Sequence, residues 1–513
     1  MRVMHPAALA VAAGLAATAP AAAQQDCAGL ADLRLTDVNL LSATEVPAAD
    51  DLPAHCSVVG FVRPAINFEI RLPIEGWNGG FYMAGCGGFC GRVLADAPNF
   101  INAMNPGLRR GYAVTTMDSG HWGTGSTDAR WALDNRVAEV DWGDRAVRET
   151  AHTAAAVIEA YYGAAPEPSI FQGCSTGGRM ANMLAVRDPE LFDGIINGAP
   201  ALDYTGLVAT YIAALVQQNT DADGNPIITP DVVPLIQETV YGQCDGADGL
   251  IDGLISDPRR CEIDWTEAQC PADGDGACLT EAQLATLEGW YETGAVNSAG
   301  ERLYPATIPF GSEPFWWLWL TGNEAGAGRL VPLFNEQFMQ FMAFPQDPGE
   351  GYTAMDFDLD TDPARLALMA SIYNSDDPDL SAFRDVGGVM ITWHGWADAI
   401  VPTGKTVDYY EQVIATMGGL DEVQTFNRLF LIPGVDHCGL LQGPGIDQNG
   451  IDLLTAMENW LESGAAPDDI MTTRTTADGV EDWTRPVCAY PAEAQWIGRG
   501  DWHDGSTFTC VIP

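Results

Sequence analysis

A serine in the middle of the chain has the surroundings of a catalytic nucleophile. Ser175 is the central residue of Gly-Cys-Ser-Thr-Gly at 173–177, a G-x-S-x-G segment whose glycines let a serine occupy a sharp, exposed turn. A serine hydroxyl attacks a carbonyl group only when an imidazole takes its proton and a carboxylate orients that imidazole. The segment therefore predicts a nucleophile and calls for a histidine and an acid elsewhere.

The chain has only seven histidines, which narrows the choice of base. His437 lies in a Gly-flanked loop directly after the last predicted strand, and Asp398 follows the strand before it. The order Ser175, Asp398, His437 is the order of the triad in α/β-hydrolases. We therefore predict these three residues to be the nucleophile, the orienting acid and the base.

Two other residues compete for these roles, and a third lies close to the predicted acid in the sequence. Asp436 is adjacent to the predicted base and is a rival acid. His121 follows a predicted strand and is either a rival base or a residue of the pocket. His394, which precedes the loop of the acid, is interpreted as structural.

Two cysteines flank the predicted nucleophile and base. Cys174 immediately precedes Ser175, and Cys438 immediately follows His437. A functioning triad would bring the two thiols close together, so a disulfide between them is expected. Such a bond would hold the base against the nucleophile.

The elements around these residues follow an alternating pattern. Apolar runs between Gly-rich turns predict strands at 58–62, 68–72, 79–83, 112–116 and 169–171. Helical spacing follows at 144–162 and 179–186. The strand, the sharp turn at Ser175 and the helix after it are typical of a parallel sheet with connecting helices.

The region 203–385 interrupts this pattern and is interpreted as an insertion. It contains acidic Gly-rich segments and an aromatic run at 315–319, without regular alternation of strands and helices. Beyond it, strands are predicted again at 388–393 and 429–432, with a helix at 405–417 between them.

Composition and charge exclude several classes of partner. The chain has 513 residues, with 24 Lys and Arg against 70 Asp and Glu, a net charge of −46. Such a charge repels nucleic acid and anionic lipid. Residues 1–23 have the pattern of a signal peptide, and all 12 cysteines follow it. We expect an exported, disulfide-bonded protein, periplasmic or extracellular, with no membrane span and no obligatory protein partner.

Several segments together resemble the tannase and feruloyl esterase family. They are WNGGF at 77–81, DSGH at 118–121, YYG at 161–163, GCSTGGR at 173–179, FDGII at 192–196, GWAD at 395–398, DHC at 436–438 and TRPVC at 484–488. They span nearly all of the chain beyond the signal peptide. The resemblance implies a secreted serine esterase with a lid domain inserted in an α/β-hydrolase fold, a doubly wound and mostly parallel sheet. The corresponding division is a hydrolase domain at 24–202 and 386–513, with the lid at 203–385.

An acyl-transfer site also needs hydrogen-bond donors for the oxyanion. The backbone N–H of Thr176, directly after the serine, is the first predicted donor. Gly87 or Gly88 is the candidate for the second, since glycine lets the backbone approach a substrate closely. From the residues alone, these glycines fit a tight turn equally well.

An acidic loop inside the inserted region is a candidate metal site. Asp245, Asp248 and Asp252 alternate with glycines, and calcium takes several carboxylate and carbonyl oxygens. Composition alone favours a solvated loop. The family resemblance instead implies a structural calcium ion held by these three side chains and by the carbonyls of Leu250 and Leu254. No organic cofactor is implied.

The remaining cysteines and the aromatic run complete the predictions. Proximity in the chain favours the disulfides Cys244–Cys261, Cys270–Cys278 and Cys488–Cys510, and the pairing of Cys27, Cys56, Cys86 and Cys90 stays open. The aromatic run either stacks on an aromatic acyl group or forms the core of the lid. The candidate pocket residues are His121, Trp316, Trp317, Trp319 and Trp396.

The substrate implied by the family is a small ester of an aromatic acid of the feruloyl, galloyl or terephthaloyl type. Two alternatives stay open. One is an esterase for aliphatic esters. The other is a catalytically idle hydrolase fold that binds a ligand in the presence of calcium.

Overall fold

A computed structural model describes residues 25–97, 103–271 and 278–513. The predicted signal peptide at 1–23 lies outside these described residues. Within the described ranges, no helix is both long enough and apolar enough to cross a membrane.

Nine strands form one central sheet, and four more form two separate hairpins. The strands are β1 (Val38–Val46), β2 (His55–Val62), β3 (Ile66–Pro73), β4 (Phe81–Ala84), β5 (Ala113–Met117), β6 (Ser169–Cys174), β7 (Gly194–Gly198), β8 (Val389–Gly395), β9 (Asn427–Ile432), β10 (Asp469–Thr475), β11 (Glu481–Cys488), β12 (Glu493–Trp496) and β13 (Phe508–Val511). The order in the sheet is β1-β2-β3-β5-β4-β6-β7-β8-β9. All pairings from β5 to β9 are parallel, whereas β1, β2 and β3 form an antiparallel edge.

Helices cover both faces of the sheet. They are α1 (Asn105–Arg109), α2 (Arg136–Val140), α3 (Ala146–Tyr162), α4 (Thr176–Arg187), α5 (Ile212–Gln218), α6 (Val233–Cys244), α7 (Glu281–Glu288), α8 (Trp316–Trp319), α9 (Leu330–Phe341), α10 (Ala367–Tyr373), α11 (Ser381–Asp385), α12 (Thr403–Met417), α13 (Leu420–Val423) and α14 (Leu453–Ser463). Successive strand residues point to opposite faces. Phe171 and Ile195 accordingly join a core with α3, α4 and α12, while Ile170 and Ile196 join a second core with α1 and α14.

The predicted parallel pattern is confirmed in this sheet. β2, β3, β6 and β9 include the predicted strand segments, β4, β5 and β8 overlap them, and α3, α4 and α12 include or overlap the predicted helices. The helix predicted at 144–162 begins as a π-helical turn at Asp141–Arg145 before α3. Gly163 ends α3 in the left-handed conformation, with φ of 76°.

The chain between β7 and β8 is a long helical excursion. In the part of it that the structure describes, helices α5 to α11 occur and no strand joins the sheet. An excursion between two adjacent parallel strands is the arrangement that the sequence leads us to expect for a lid. The division into 24–202, 203–385 and 386–513 stays a prediction.

The twelve cysteines form six disulfides. They are Cys27–Cys56, Cys86–Cys90, Cys174–Cys438, Cys244–Cys261, Cys270–Cys278 and Cys488–Cys510. The four expected pairs are all formed, and the structure resolves the pairing that the sequence left open. Six disulfides are typical of a protein that folds in an oxidising compartment.

Candidate active site

Ser175 occupies a strained turn between a buried strand and a helix. β6 ends at Cys174 and α4 begins at Thr176, which leaves the serine at φ 65° and ψ −122°. Residues other than glycine adopt this region only where the surroundings enforce it. A Cβ atom on Gly173 would lie 2.5 Å from the carbonyl oxygen of Gly177. Glycine is therefore needed there for the turn to close.

The predicted acid and base meet at the carboxyl ends of β8 and β9. Nδ1 of His437 lies 2.6 Å from Oδ2 of Asp398. Because an ionised carboxylate only accepts hydrogen bonds, Nδ1 carries the proton and Nε2 is left to accept one. His437 and Ser175 line the same cavity. The structure thus brings together the three residues that the sequence singled out.

The carboxylate of Asp398 is completely buried and surrounded by donors. Its Oδ1 accepts the backbone N–H groups of Ile400 at 3.0 Å and Val401 at 2.8 Å. Its Oδ2 also lies 3.0 Å from Nε2 of His394. Burial alone would raise the pKa of Asp398, but the charge of His437 and the hydrogen bonds from both histidines bring it below its usual value. The acid is therefore ionised when it orients the base.

Neither rival for the triad occupies a suitable place. Oδ1 of Asp436 accepts the N–H of Leu441 at 3.1 Å, and burial raises the pKa of Asp436 well above its usual value. His121 is stacked on Trp131, with ring centroids 3.7 Å apart, and burial lowers its pKa to about 4. Burial therefore disfavours the charged form of both side chains.

The disulfide next to the site joins the two catalytic loops covalently. Cys174 precedes Ser175 and Cys438 follows His437, and the bond spans 264 residues of chain. Both cysteines are buried. The loop after β9 is thus tied to the end of β6 at the residues beside the predicted nucleophile and base.

The predicted oxyanion residues border the same cavity as the serine. Thr176, Gly87 and Gly88 all line it. The first N–H groups of a helix have no acceptor within the helix, so the N–H of Thr176, at the start of α4, is placed to bind an anion. The Thr176 hydroxyl donates to the carbonyl of Gly88 at 2.7 Å, which holds the two loops together. The turn at Gly88 also needs glycine, because a Cβ atom would lie 2.4 Å from the carbonyl oxygen of Ser126.

The cavity is large and mostly apolar. It has a volume of about 850 Å³, in the range of small-molecule sites. The apolar residues that the helical excursion contributes are Leu207, Val208, Ile212, Leu318, Trp319, Leu330 and Phe334. The ring of Trp319 meets that of His437 edge to face at 5.5 Å. Most of these cavity-lining residues could not be predicted from the sequence, because most of the helices that carry them are too short or too irregular to give a clear periodic pattern.

Among the described residues that line the cavity, Trp319 is the one member of the five predicted pocket residues. Trp316 is completely buried and donates to the hydroxyl of Ser312 at 2.9 Å, so it belongs to the core of the excursion. Trp317 faces a separate surface groove. The prediction is also wrong for His121, which stacks in the interior, and for Trp396, whose ring lies against the guanidinium of Arg259 at 5.1 Å.

The carboxylates of the acidic loop are engaged by protein donors. Asp245 accepts the N–H of Asp252 at 3.0 Å, and Asp248 accepts the hydroxyl of Ser256 at 2.6 Å. Asp252 is ion-paired with Arg485 at 2.6 Å. Across the described ranges, no three Asp, Glu, His or Cys side chains are grouped as a metal site.

The donor chemistry of this loop nevertheless suits calcium. Three carboxylates alternate with Gly249 and Gly253, whose φ values of 90° and 81° let the backbone curl. The carbonyls of Leu250 and Leu254 are the remaining predicted ligands. Oxygen donors alone are what calcium prefers. Calcium binding stays a prediction.

Comparisons with known proteins agree with this architecture. The family model described as Tannase and feruloyl esterase matches residues 52–511. An uncharacterized esterase of Xanthomonas campestris is 36% identical, covering 96% of this chain and 92% of its own. Mono(2-hydroxyethyl) terephthalate hydrolase of Piscinibacter sakaiensis is 32% identical, covering 92% of this chain and 87% of its own.

A solved structure supports the fold. Feruloyl esterase B of Aspergillus oryzae superposes with a TM-score of 0.81 at 25% identity, covering 95% of this chain and 100% of that one. The similarity confirms the predicted α/β-hydrolase fold. The chain therefore belongs to the tannase and feruloyl esterase family, and it is a carboxylic ester hydrolase.

Proposed function

We propose that the protein is a serine esterase that hydrolyses esters of aromatic carboxylic acids through an acyl-enzyme on Ser175. The observation that carries the proposal is the 2.6 Å contact of Asp398 with His437, which lines the same cavity as Ser175 on its strained turn. Both relatives and the solved neighbour are named as ester hydrolases.

The geometry supports a two-step reaction. The Ser175 hydroxyl attacks the acyl carbon while its proton moves to Nε2 of His437. The N–H of Thr176 and one from Gly87 or Gly88 stabilise the oxyanion. When the intermediate collapses, the C–O bond to the alcohol breaks and the alcohol leaves with that proton. A water molecule then attacks the acyl-enzyme, again giving its proton to His437, and the acid is released with Ser175 restored.

An aromatic acyl group is the substrate that fits the cavity walls. Trp319, Phe334 and aliphatic side chains around them offer the apolar surface that an aromatic ring needs. We propose acids of the feruloyl, galloyl or terephthaloyl type, because the relatives include a terephthalate monoester hydrolase and a feruloyl esterase. Neither nucleic acid nor a membrane nor an obligatory protein partner takes part.

Covalent labelling tests this proposal. A fluorophosphonate probe should label the wild type and a Ser463→Ala control, whose serine is exposed at the end of α14, and it should leave Ser175→Ala unlabelled and inactive. A substrate panel of gallate, hydroxycinnamate, terephthalate and short alkyl esters should favour the aromatic esters. An unlabelled wild type would support an idle ligand-binding fold, and a preference for alkyl esters would support the aliphatic alternative.

We further propose export and a structural calcium ion. Six disulfides support folding outside the reducing cytosol, and N-terminal sequencing of the exported protein should begin at Gln24. Calcium would neutralise Asp245 and Asp248 in the acidic loop and would take no part in the chemistry. Calcium should then raise the melting temperature of the chelated wild type but not that of Asp248→Asn, and an unchanged wild type would contradict the site.

A further inference from the structure

We propose that His394 is a positioning residue of the catalytic site, which acts on His437 through the carboxylate that both histidines share. The inference rests on the proposed function, because it assigns a role toward the same triad. His394 is not among the described residues that line the catalytic cavity with Ser175. Its effect on the reaction must therefore pass through Asp398.

The first observation is that two imidazoles converge on one oxygen. Oδ2 of Asp398 lies 2.6 Å from Nδ1 of His437 and 3.0 Å from Nε2 of His394. Both contacts need a proton on the ring nitrogen, because the carboxylate only accepts. The N–H of His394 therefore competes with that of His437 for the electron density of a single oxygen atom.

The second observation is that the orientation of His394 is fixed from its other side. Nδ1 of His394 lies 2.8 Å from the hydroxyl of Thr406 on α12. In the tautomer with its proton on Nε2, the ring accepts the threonine proton at Nδ1. His394 and Thr406 are both buried, with exposed fractions of 0% and 1%. The ring therefore has a defined tautomer and no route to water.

The third observation is that both carboxylate oxygens of Asp398 accept hydrogen bonds from the protein. The backbone N–H groups of Ile400 and Val401 occupy Oδ1, and the two histidines occupy Oδ2. Without His394, His437 would be the one side chain donating to this buried oxygen among the described residues. The other titratable groups that feel the charge of Asp398 include Asp436, Tyr211 and Tyr304, whose pKa values it raises. None of these three donates a hydrogen bond to Asp398.

A physical consequence follows for the base. A hydrogen bond donated to a carboxylate withdraws charge from it, so the carboxylate stabilises a neighbouring imidazolium less. Removing the N–H of His394 should therefore make protonated His437 more stable. It should also free the carboxylate to rotate, which spoils the alignment of the base with Ser175.

The test compares two replacements of His394. His394→Leu keeps an apolar volume without a donor, whereas His394→Gln keeps an amide N–H near the position of Nε2. We expect kcat of the leucine variant to fall by about tenfold or more, with KM changed by less than about twofold. We also expect the acid limb of its pH profile of kcat/KM to move to higher pH by about half a unit or more. The glutamine variant should stay within about threefold of the wild type, with the limb in place.

Rates are expressed per active site, titrated with a fluorophosphonate, so that unfolded protein does not count. An unmoved acid limb in the leucine variant, or equal losses in both variants, would overturn the inference. If the leucine variant does not fold, Thr406→Val takes its place. A smaller shift of the limb in the same direction then supports the inference, and an unmoved limb overturns it. Failure of the proposed function would be seen separately, as an active Ser175→Ala.

Discussion

At the scale of single residues, two neighbouring carboxyl groups behave differently because of their hydrogen bonds. Asp398 and Asp436 are both completely buried. The charge of His437 and the N–H groups that donate to Asp398 hold its pKa below its usual value, whereas burial raises the pKa of Asp436 well above its usual value. An ionised acid can orient a base and stabilise its imidazolium, and a protonated acid cannot.

This difference predicts unequal effects of the same substitution. Asp398→Asn replaces an acceptor by an amide and no longer enforces the proton on Nδ1 of His437, so kcat should fall by about 10³-fold or more. Asp436→Asn puts a neutral amide in place of a carboxyl group whose charged form burial already disfavours, so kcat should stay within about fivefold of the wild type. Steady-state kinetics on a preferred aromatic ester measure both, and comparable losses in the two variants would show that Asp398 has been misassigned.

The triad could be predicted from the sequence, and the pocket could not. A G-x-S-x-G segment, seven histidines and the order along the chain left few choices for Ser175 and His437. The pocket depends on where the side chains of a long excursion point. Trp316 and Trp319 belong to the same short helix, yet one is in a core and the other in the cavity wall, and no periodicity in four residues distinguishes them.

At the scale of elements, the disulfide beside the triad joins β6 to the loop after β9. Cys174→Ala with Cys438→Ala would open a loop of 264 residues, for which chain entropy gives about 5 kcal/mol. The active-site loops would also lose their covalent clamp, so kcat should fall by about tenfold or more.

Another disulfide supplies the matched control for this prediction. Cys488–Cys510 spans 22 residues, and its cysteines are not among the residues lining the catalytic cavity. Its removal should cost about 3 kcal/mol of stability and leave the kcat of folded enzyme intact. Denaturant unfolding and rates per titrated active site separate the two effects. Equal kcat for both double variants would argue against a clamp.

The helical excursion contains a buried acid that should make stability depend on pH. Burial raises the pKa of Glu313 to about 7, although the Tyr291 hydroxyl donates to it at 2.6 Å. The unfolded chain ionises this group near its ordinary value of 4.5. Because its pKa is raised in the folded state, the protonated Glu313 carboxyl group contributes to the free energy of unfolding. This contribution is fully present below about pH 4.5 and is lost as the pH rises through 7.

Glu313→Gln should remove this dependence. Between pH 4.5 and 8, ionisation of Glu313 should lower the unfolding free energy of the wild type by up to about 3 kcal/mol. The glutamine variant should not show this decrease. The measurement is the difference between the two proteins in unfolding free energy at each pH. Glu324→Gln, at an exposed position in the same excursion, controls for the loss of one charge. A parallel pH dependence of all three proteins would contradict a raised pKa at Glu313.

Two strands of the central sheet escaped prediction, each for its own physical reason. β7 (Gly194–Gly198) contains two glycines and only two strongly apolar residues, although it is completely buried. β1 lies at the edge of the sheet and is largely exposed, so it has no apolar pattern. The other strands of the parallel part of the sheet were predictable because burial on both faces favours continuous apolar runs.

At the scale of the whole molecule, acidic side chains far outnumber the basic side chains that could pair with them. Twenty-four Lys and Arg face 70 Asp and Glu, and Lys405 is the one lysine in the sequence. Many of the arginines are paired, as Arg110 is with Asp452 and Glu458, and surface pairs contribute little to stability. Most of the negative charge therefore lies on the surface, where it repels itself and favours expansion.

Salt should accordingly stabilise this protein. Raising NaCl from 0.1 M to 1 M shortens the Debye length from about 10 Å to about 3 Å, which screens repulsion among carboxylates with a net charge of −46. We expect the melting temperature at pH 7.5 to rise by about 2–5 °C over this range. The same titration at pH 4 is the control, because many exposed carboxyl groups are protonated there and little repulsion remains to be screened. The rise should shrink at pH 4 if repulsion causes it, whereas an equal rise at both pH values would point to a general salt effect on apolar burial.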